Sequence, residues 1–295
     1  MPGQLQEVRT RIKSVQSSQQ MTKAMKMVSA AKLRRAQDSI LQMRPYAVKL
    51  QEMLGNITAS LQGDASVSLG EERPVEKVLL IVITSDRGLA GGYNSNLVKL
   101  TKEVVATKYA AQNAKGHVTI WNIGKKGYEA LTNAGYNTKD TYKDLLSDIR
   151  FDKIQEVAQA AVKAFTSKEF DRVEIIYSQF KNAATLIQTD ETFLPIPKIE
   201  TKEKKNEKRI DFIFEPSKKD LVATLVPKIL NTQLYKAVLD ANASEHGARM
   251  TAMDKASNNA GEILKSLKIS YNRARQAAIT TELTEIVSGA AALEG

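Results

Sequence analysis

The sequence predicts an α/β domain inserted between two very long helices that pair as an antiparallel coiled coil. Three observations carry that prediction: a heptad pattern over the first 60 residues, a long alanine-rich helical run over the last 80, and strand–helix alternation between them. Stepping by seven from the N-terminus gives Leu5, Ile12, Gln19, Lys26, Leu33, Ile40, Ala47, Leu54 and Leu61. The companion set is Val8, Val15, Thr22, Ser29, Ala36, Met43, Leu50 and Ile57. One unbroken register of this length argues for a coiled-coil seam about 85 Å long. Pro45 is a candidate kink, because proline removes a helical N–H.

The seam turns polar at Gln19, Thr22, Lys26 and Ser29, while Met21, Met25 and Val28 move the apolar character to a neighbouring face. Two readings stay open. One is a local stutter; the other is that the helix here faces something besides its partner helix, for which flexible, polarizable methionine is suited. The second helix is expected to start after Pro216, with Ser217 as N-cap, and to run through Leu221, Leu234, Ala248, Ala256, Ala260, Ile263, Leu267, Tyr271 and Ala278. Pro227 is expected to bend it, and Gly247 and Gly261 to weaken it.

Between the helices the pattern is that of a small parallel-sheet, Rossmann-like domain. Residues 77–84 (KVLLIVIT) read as a buried parallel strand. Residues 94–109 read as helix, 117–123 as strand, 124–134 and 151–166 as helices, and 173–180 and 184–193 as strands. The run at 198–209 (KIETKEKKNEKR) is too charged for a core and reads as an exposed linker. The expected division is residues 1–73 for the first coiled-coil helix, 74–210 for the α/β domain and 211–295 for the second helix.

Composition excludes several classes. The 295 residues contain no cysteine, which removes disulfides, thiol nucleophiles and Cys-ligated zinc. Two histidines, His117 and His246, leave little for metal or triad chemistry. The longest apolar run, Val78 to Ile83, is far short of a membrane span, and the first residues carry neither a signal nor a transit pattern. A chain of a reducing, cytosolic compartment is expected. The glycine-rich loop Thr84 to Asn94 (TSDRGLAGGYN) invites a phosphate-binding reading. Gly88, Gly91 and Gly92 lack G-x-G-x-x-G spacing, and no G-K-[ST] follows, so a structural loop braced by Asp86 and Arg87 is the favoured reading. Glu282 and Glu285 lie three apart on a helix and read as a solvated or partner-facing pair.

The first 49 residues hold ten basic side chains against Glu7 and Asp38, an excess of eight that makes up most of the net charge of +10. Such a face is usually just solvated. Nucleic acid is one alternative partner, disfavoured by the scarcity of interleaved aromatics. An anionic protein surface is another. The final residues, from Ile279 to Gly295, stay helical in composition and end in small apolar side chains, which argues for an end held inside another protein.

Four blocks carry a resemblance: residues 21–37 (MTKAMKMVSAAKLRRAQ), 85–97 (SDRGLAGGYNSNL), 244–262 (SEHGARMTAMDKASNNAGE) and 271–292 (YNRARQAAITTELTEIVSGAAA). The last contains Ile279, Thr280, Glu282, Glu285, Gly289 and Ala290 at the spacing of a family signature. Over its whole length the chain closely resembles the gamma subunits of F-type ATP synthases, of the bacterial type. The resemblance implies a non-catalytic central rotor shaft that couples proton flow through a membrane c ring to the conformational cycle of catalytic β subunits. It implies α and β subunits in a 3:3 hexamer, an epsilon subunit and the c ring as partners. It implies no cofactor, no nucleotide or nucleic acid bound directly, and a peripheral place on the cytoplasmic side of a bacterial inner membrane. By the same resemblance Met21, Lys23, Met25, Lys26, Arg275, Gln276, Thr280 and Glu282 are expected to contact the β-subunit levers. Val287, Ala290, Ala291, Ala292 and Leu293 are expected to turn in the hexamer's apolar bearing. With no cysteine-bearing insertion, redox control is not expected.

Overall fold

The computed structural model describes residues 2–60, 69, 73–183, 185–196 and 218–294. The chain divides into two compact units, residues 31–248 and residues 1–30 with 249–295. The expected boundary at 73 lies between the first long helix and the first strand, and the one at 210 lies outside the described residues. Contacts instead group the inner lengths of both long helices with the sheet.

In the larger unit the central strand β1 (Val78–Ile83) is buried at every position, on both faces. Alternation sends Leu79, Ile81 and Ile83 to one face and Val78, Leu80 and Val82 to the other. Each such side chain contributes about 1.5–3 kcal/mol by leaving water. The remaining elements are α2 (Tyr93–Lys108), α3 (Ala110–Ala114), β2 (Val118–Ile123), α4 (Lys125–Asn133), β3 (Thr138–Lys139), a 3-10 turn (Leu145–Ser147), α5 (Phe151–Thr166), β4 (Arg172–Phe180) and β5 (Leu186–Leu194). The five strands lie in the order β3-β2-β1-β4-β5, an order shared with doubly wound nucleotide-binding sheets. Helices cover both faces: α5 and α6 (Lys218–Glu294) supply Ile154, Val157, Phe165, Leu230 and Leu234 to one core, and α2 supplies Tyr93, Leu97, Val104 and Val105 to the other.

One expectation needs correction. The sheet is mixed, because β5 pairs antiparallel with β4 while β3, β2, β1 and β4 run parallel. Only five residues separate Phe180 from Leu186, too few for the dozen or more that a parallel crossover needs. The two-residue β3 and the five-residue α3 were not expected from the sequence, being too short to show a period.

In the smaller unit the first helix, α1 (Pro2–Ser60), meets the end of α6 along the expected seam. Leu5, Val8, Ile12, Val15, Gln19, Thr22 and Lys26 are half-buried and Ser29 is buried, while the residues between them are mostly exposed. On α6 the stripe is Met253, Ser257, Ala260, Leu264, Leu267, Tyr271, Ala274, Ala278 and Thr281. Ile263, expected in that stripe, is 48% exposed, because the 3–4 alternation counted from Ser257 lands on Leu264. Both helices continue through their prolines, Pro45 and Pro227. The linker 198–209 and the candidate cap Ser217 lie outside the described residues.

Candidate functional site

In a doubly wound sheet the ligand crevice lies beyond the carboxyl ends of the strands, where the strand order reverses. Here that point is between β1 and β4, and the chain's own α6 occupies it. The Tyr93 hydroxyl donates to the Ala241 carbonyl at 3.1 Å, and the Ser244 hydroxyl donates to the Ser178 carbonyl at 2.9 Å. Gly247 faces the β4–β5 turn, where an added Cβ would sit in contact, 3.4 Å from Ala183 Cα and 3.5 Å from the Phe180 ring. The small residues Ala241, Ala243, Ser244 and Gly247 let a helix pass where a nucleotide would need room. Gly247, expected only as a weak point, packs against that turn, where a methyl group would make ordinary van der Waals contact. That run of small side chains is the signal in the sequence that could have shown it.

The glycine-rich loop is closed in the same way. The Ser85 amide donates to Asn94 Oδ1 at 3.0 Å, the Asn94 amide donates back to Ser85 Oγ at 2.8 Å, and Ser85 Oγ donates to the Arg87 carbonyl at 2.7 Å. Asp86 accepts from the Lys125 N–H at 3.3 Å, Ser85 O from the Lys126 N–H at 3.0 Å, and Thr84 Oγ1 from the Gly127 N–H at 2.9 Å. The first three amides of α4, which could have held an anion, thus all point at protein atoms. Burial is the main cause that raises the Asp86 carboxyl above its usual range, against the Lys125 amide and charge that lower it. Gly124 has φ of 107°, and a Cβ there would lie 2.6 Å from the Thr84 carbonyl oxygen, so glycine is required.

The expected contact residues lie in the smaller unit, at two levels. Lys26 Nζ meets Asp254 Oδ1 at 2.6 Å, which fixes the register of the pair. Gln19 Nε2 donates to the Ser257 carbonyl at 3.2 Å, and a Cβ on Gly261 would lie 3.0 Å from that same nitrogen. Gln19 and Lys26 of the seam therefore face the partner helix, while the neighbouring face that carries Met21 and Val28 is exposed, so both readings of this stretch stay open. The two form a polar stretch of seam, with Gly261 leaving room for Gln19. Met21 and Lys23 are exposed on the outer side and Met25 is half-buried. From that register, Arg275, Gln276, Thr280 and Glu282 stand about 30 to 40 Å further along the pair. The structure therefore does not bring the two expected groups together. All four of these residues are exposed, and so is Leu283, which shares the Gln276–Thr280 face.

Beyond Thr281 no position of α6 through Ala292 is even half-buried. With Lys26 opposite Asp254, the first described residue of α1 falls level with about residue 278, so α6 extends about 20 Å past it. Val287, Ala290, Ala291 and Ala292 are exposed on this extension, with Ile286 at 68% and Val287 at 66%. Leu293 lies in the helix, its side chain outside the described set.

A doubly wound domain with its crevice closed by its own helix, and a helical pair with bare apolar faces, define a protein that acts by contact with other chains. Comparison with known proteins agrees. The ATP synthase family profile matches residues 4–293. An ATP synthase gamma chain of Cytophaga hutchinsonii is 51% identical over 99% of both chains, and one of Flavobacterium psychrophilum is 50% identical over 99% of both. A chain from the central stalk and c-ring structure of the Tetrahymena thermophila mitochondrial ATP synthase superposes with TM-score 0.58 at 25% identity, over 80% of this chain and 99% of that one. A chain of the Euglena gracilis mitochondrial ATP synthase shares the fold with TM-score 0.65 at 20% identity, over 99% and 95%. The chain belongs to the ATP synthase gamma-chain family.

Proposed function

We propose that the chain is the central shaft of a proton-translocating ATP synthase, turning inside a hexamer of α and β subunits and seated with epsilon on a membrane c ring. It has no catalytic role of its own: it passes torque from the ring to the nucleotide-binding subunits. The observation that carries this reading is the C-terminal length of α6, which extends past its helical partner with Leu283, Ile286 and Val287 exposed. An apolar helix end of that kind costs free energy in water and is stabilised by a protein socket. In this reading Met21, Lys23, Met25, Lys26, Arg275, Gln276, Thr280 and Glu282 meet the β levers, and Val287, Ala290, Ala291, Ala292 and Leu293 turn in the bearing. Among the described residues no helix is long and apolar enough to cross a membrane, which agrees with a subunit attached through its partners, on the cytoplasmic side of a bacterial membrane.

Co-purification tests the assembly. One copy of this chain is expected with three copies each of two nucleotide-binding subunits; recovery free of them overturns the reading. Met25→Lys tests the lever contact. It is expected to lower proton-driven synthesis relative to hydrolysis while the complex still assembles, and an unchanged ratio removes Met25 from the contact.

A further inference from the structure

Gln19 of α1 and Gly261 of α6 fit together as a knob and a hole. Gln19 Nε2 donates to the Ser257 carbonyl at 3.2 Å. A Cβ on Gly261 would stand 3.0 Å from that nitrogen, so the amide would have to leave the carbonyl. Glycine inside a helix is about 1 kcal/mol less favourable than alanine, and here it leaves the room that Gln19 occupies. Two turns along α1, Lys26 Nζ meets Asp254 Oδ1 at 2.6 Å. Gln19 and Lys26 are seven residues apart, as are Asp254 and Gly261, so both contacts define the same antiparallel register.

The apolar layers of the pair do not select that register. In it Ile12 lies level with Leu267, and Val8 with Tyr271. A slide by one heptad, about 10 Å, would bring Ile12 to Ala274 or Ala260 and Val8 to Ala278 or Leu264, all of them apolar. The polar contacts would not survive it. The heptad equivalents of Asp254 are Gly247 and Gly261, which offer Lys26 no carboxylate. Those of Gly261 are Asp254 and Lys268, which leave Gln19 no hole. We infer that Gln19–Gly261 and Lys26–Asp254 form a two-point register lock, a set of positioning residues that fixes the axial setting of α1 against α6. Polar residues at single seam positions specify register in this way at some loss of stability. The lock holds the level of Met21, Lys23 and Met25 at a set distance from the level of Arg275, Gln276, Thr280 and Glu282. Its geometry is independent of the lever contacts proposed above; only this consequence rests on them.

The chain has no cysteine, so spin labels attach only to introduced ones. Lys13 and Ser266 are exposed and level with one another across the pair. Labels at Lys13→Cys and Ser266→Cys in the full chain are expected to give one narrow distance. Gly261→Leu is expected to displace part of the population by up to about 10 Å, the length of a heptad. Adding Gln19→Ala exchanges knob and hole and is expected to restore the single distance. Asp254→Lys sets like charges at the second point and is expected to broaden the distribution, which keeps the test decisive should Gly261→Leu fail to fold. A distance that stays narrow and unchanged in these variants overturns the lock, as does a displaced one that Gln19→Ala leaves unrestored. In the assembled complex Gly261→Leu is expected to lower synthesis relative to hydrolysis, and Gln19→Ala to recover it. A displaced distance with an unchanged ratio supports the lock and overturns the lever contacts it spaces.

Discussion

The sheet and the helical pair are built from similar residues and end in opposite states. Every position of β1 is sealed from solvent, and its two faces are covered by helices of the same unit. Along the pair the seam is at best half-buried over most of its length, includes Gln19, Thr22, Lys26 and Ser29, and leaves Met21, Met27, Val28, Ile279 and Leu283 exposed on its outer faces. A strand in the middle of a sheet with helices on both faces is enclosed in every direction. Each of two helices in contact covers only one stripe of the other. The α/β unit completes its own core, whereas the pair leaves apolar surface that another protein must cover. Side chains that keep the sheet folded are thus separate from the apolar ones left exposed along the pair.

That separation can be broken from either side. The largest effect is expected at Gly124→Val, where a side chain meets the Thr84 carbonyl and the backbone has positive φ. A loss of about 4 kcal/mol is expected, read from urea denaturation followed by Trp121 fluorescence. A loss under about 1 kcal/mol would show that the β1–α4 junction yields more than its geometry indicates. Next come two truncations. Removing everything after Arg275 is expected to abolish coupled ATP synthesis in the assembled complex while the urea midpoint of the α/β unit stays in place. Removing only Ala290–Gly295 is expected to leave most of the activity, because the face of Gln276, Thr280 and Leu283 remains. Equal losses from both cuts would place the working contacts at the tip alone. The smallest effect is expected at Asp254→Ala. Lys26 and Asp254 are each more than 40% exposed, so solvent screens the pair and the change is expected to stay below about 1 kcal/mol in thermal denaturation. A larger loss would mean that the polar seam contributes to holding the two helices together and does more than fix their register.

Much of this was legible in the sequence because it is periodic. The heptad set from Leu5 to Ser29 is the half-buried stripe of α1, polar members included. The apolar run of β1 and the full extent of α5 are as expected. The direction of β5 was not legible, because the sequence preference of a strand is the same whichever way it runs; the five-residue connection decided it. The meaning of the polar seam was hidden for a related reason. Gln19 and Lys26 look misplaced in a heptad until Gly261, Ser257 and Asp254, more than 220 positions away, are seen opposite them. The contact residues were legible only through resemblance, since an exposed methionine or threonine on a helix has no period of its own. Comparisons with known proteins bear out the family. The roles of those individual residues rest on the variants proposed for them.

The sequence by itself determined the elements and their partner-seeking character. Side-chain periodicity sets which face of a helix or strand turns away from water, and a run of exposed apolar residues at the end of α6 is a local property. Only the tertiary structure decided that the ligand crevice of the sheet is filled. Tyr93, Ser178, Ala241, Ser244 and Gly247 come from α2, β4 and α6, and their closeness depends on chain topology. No local pattern encodes the distance between residues 93 and 241. That distance follows from the packing of α6 across the β1–β4 edge, where its small side chains allow backbone to take the space of a ligand.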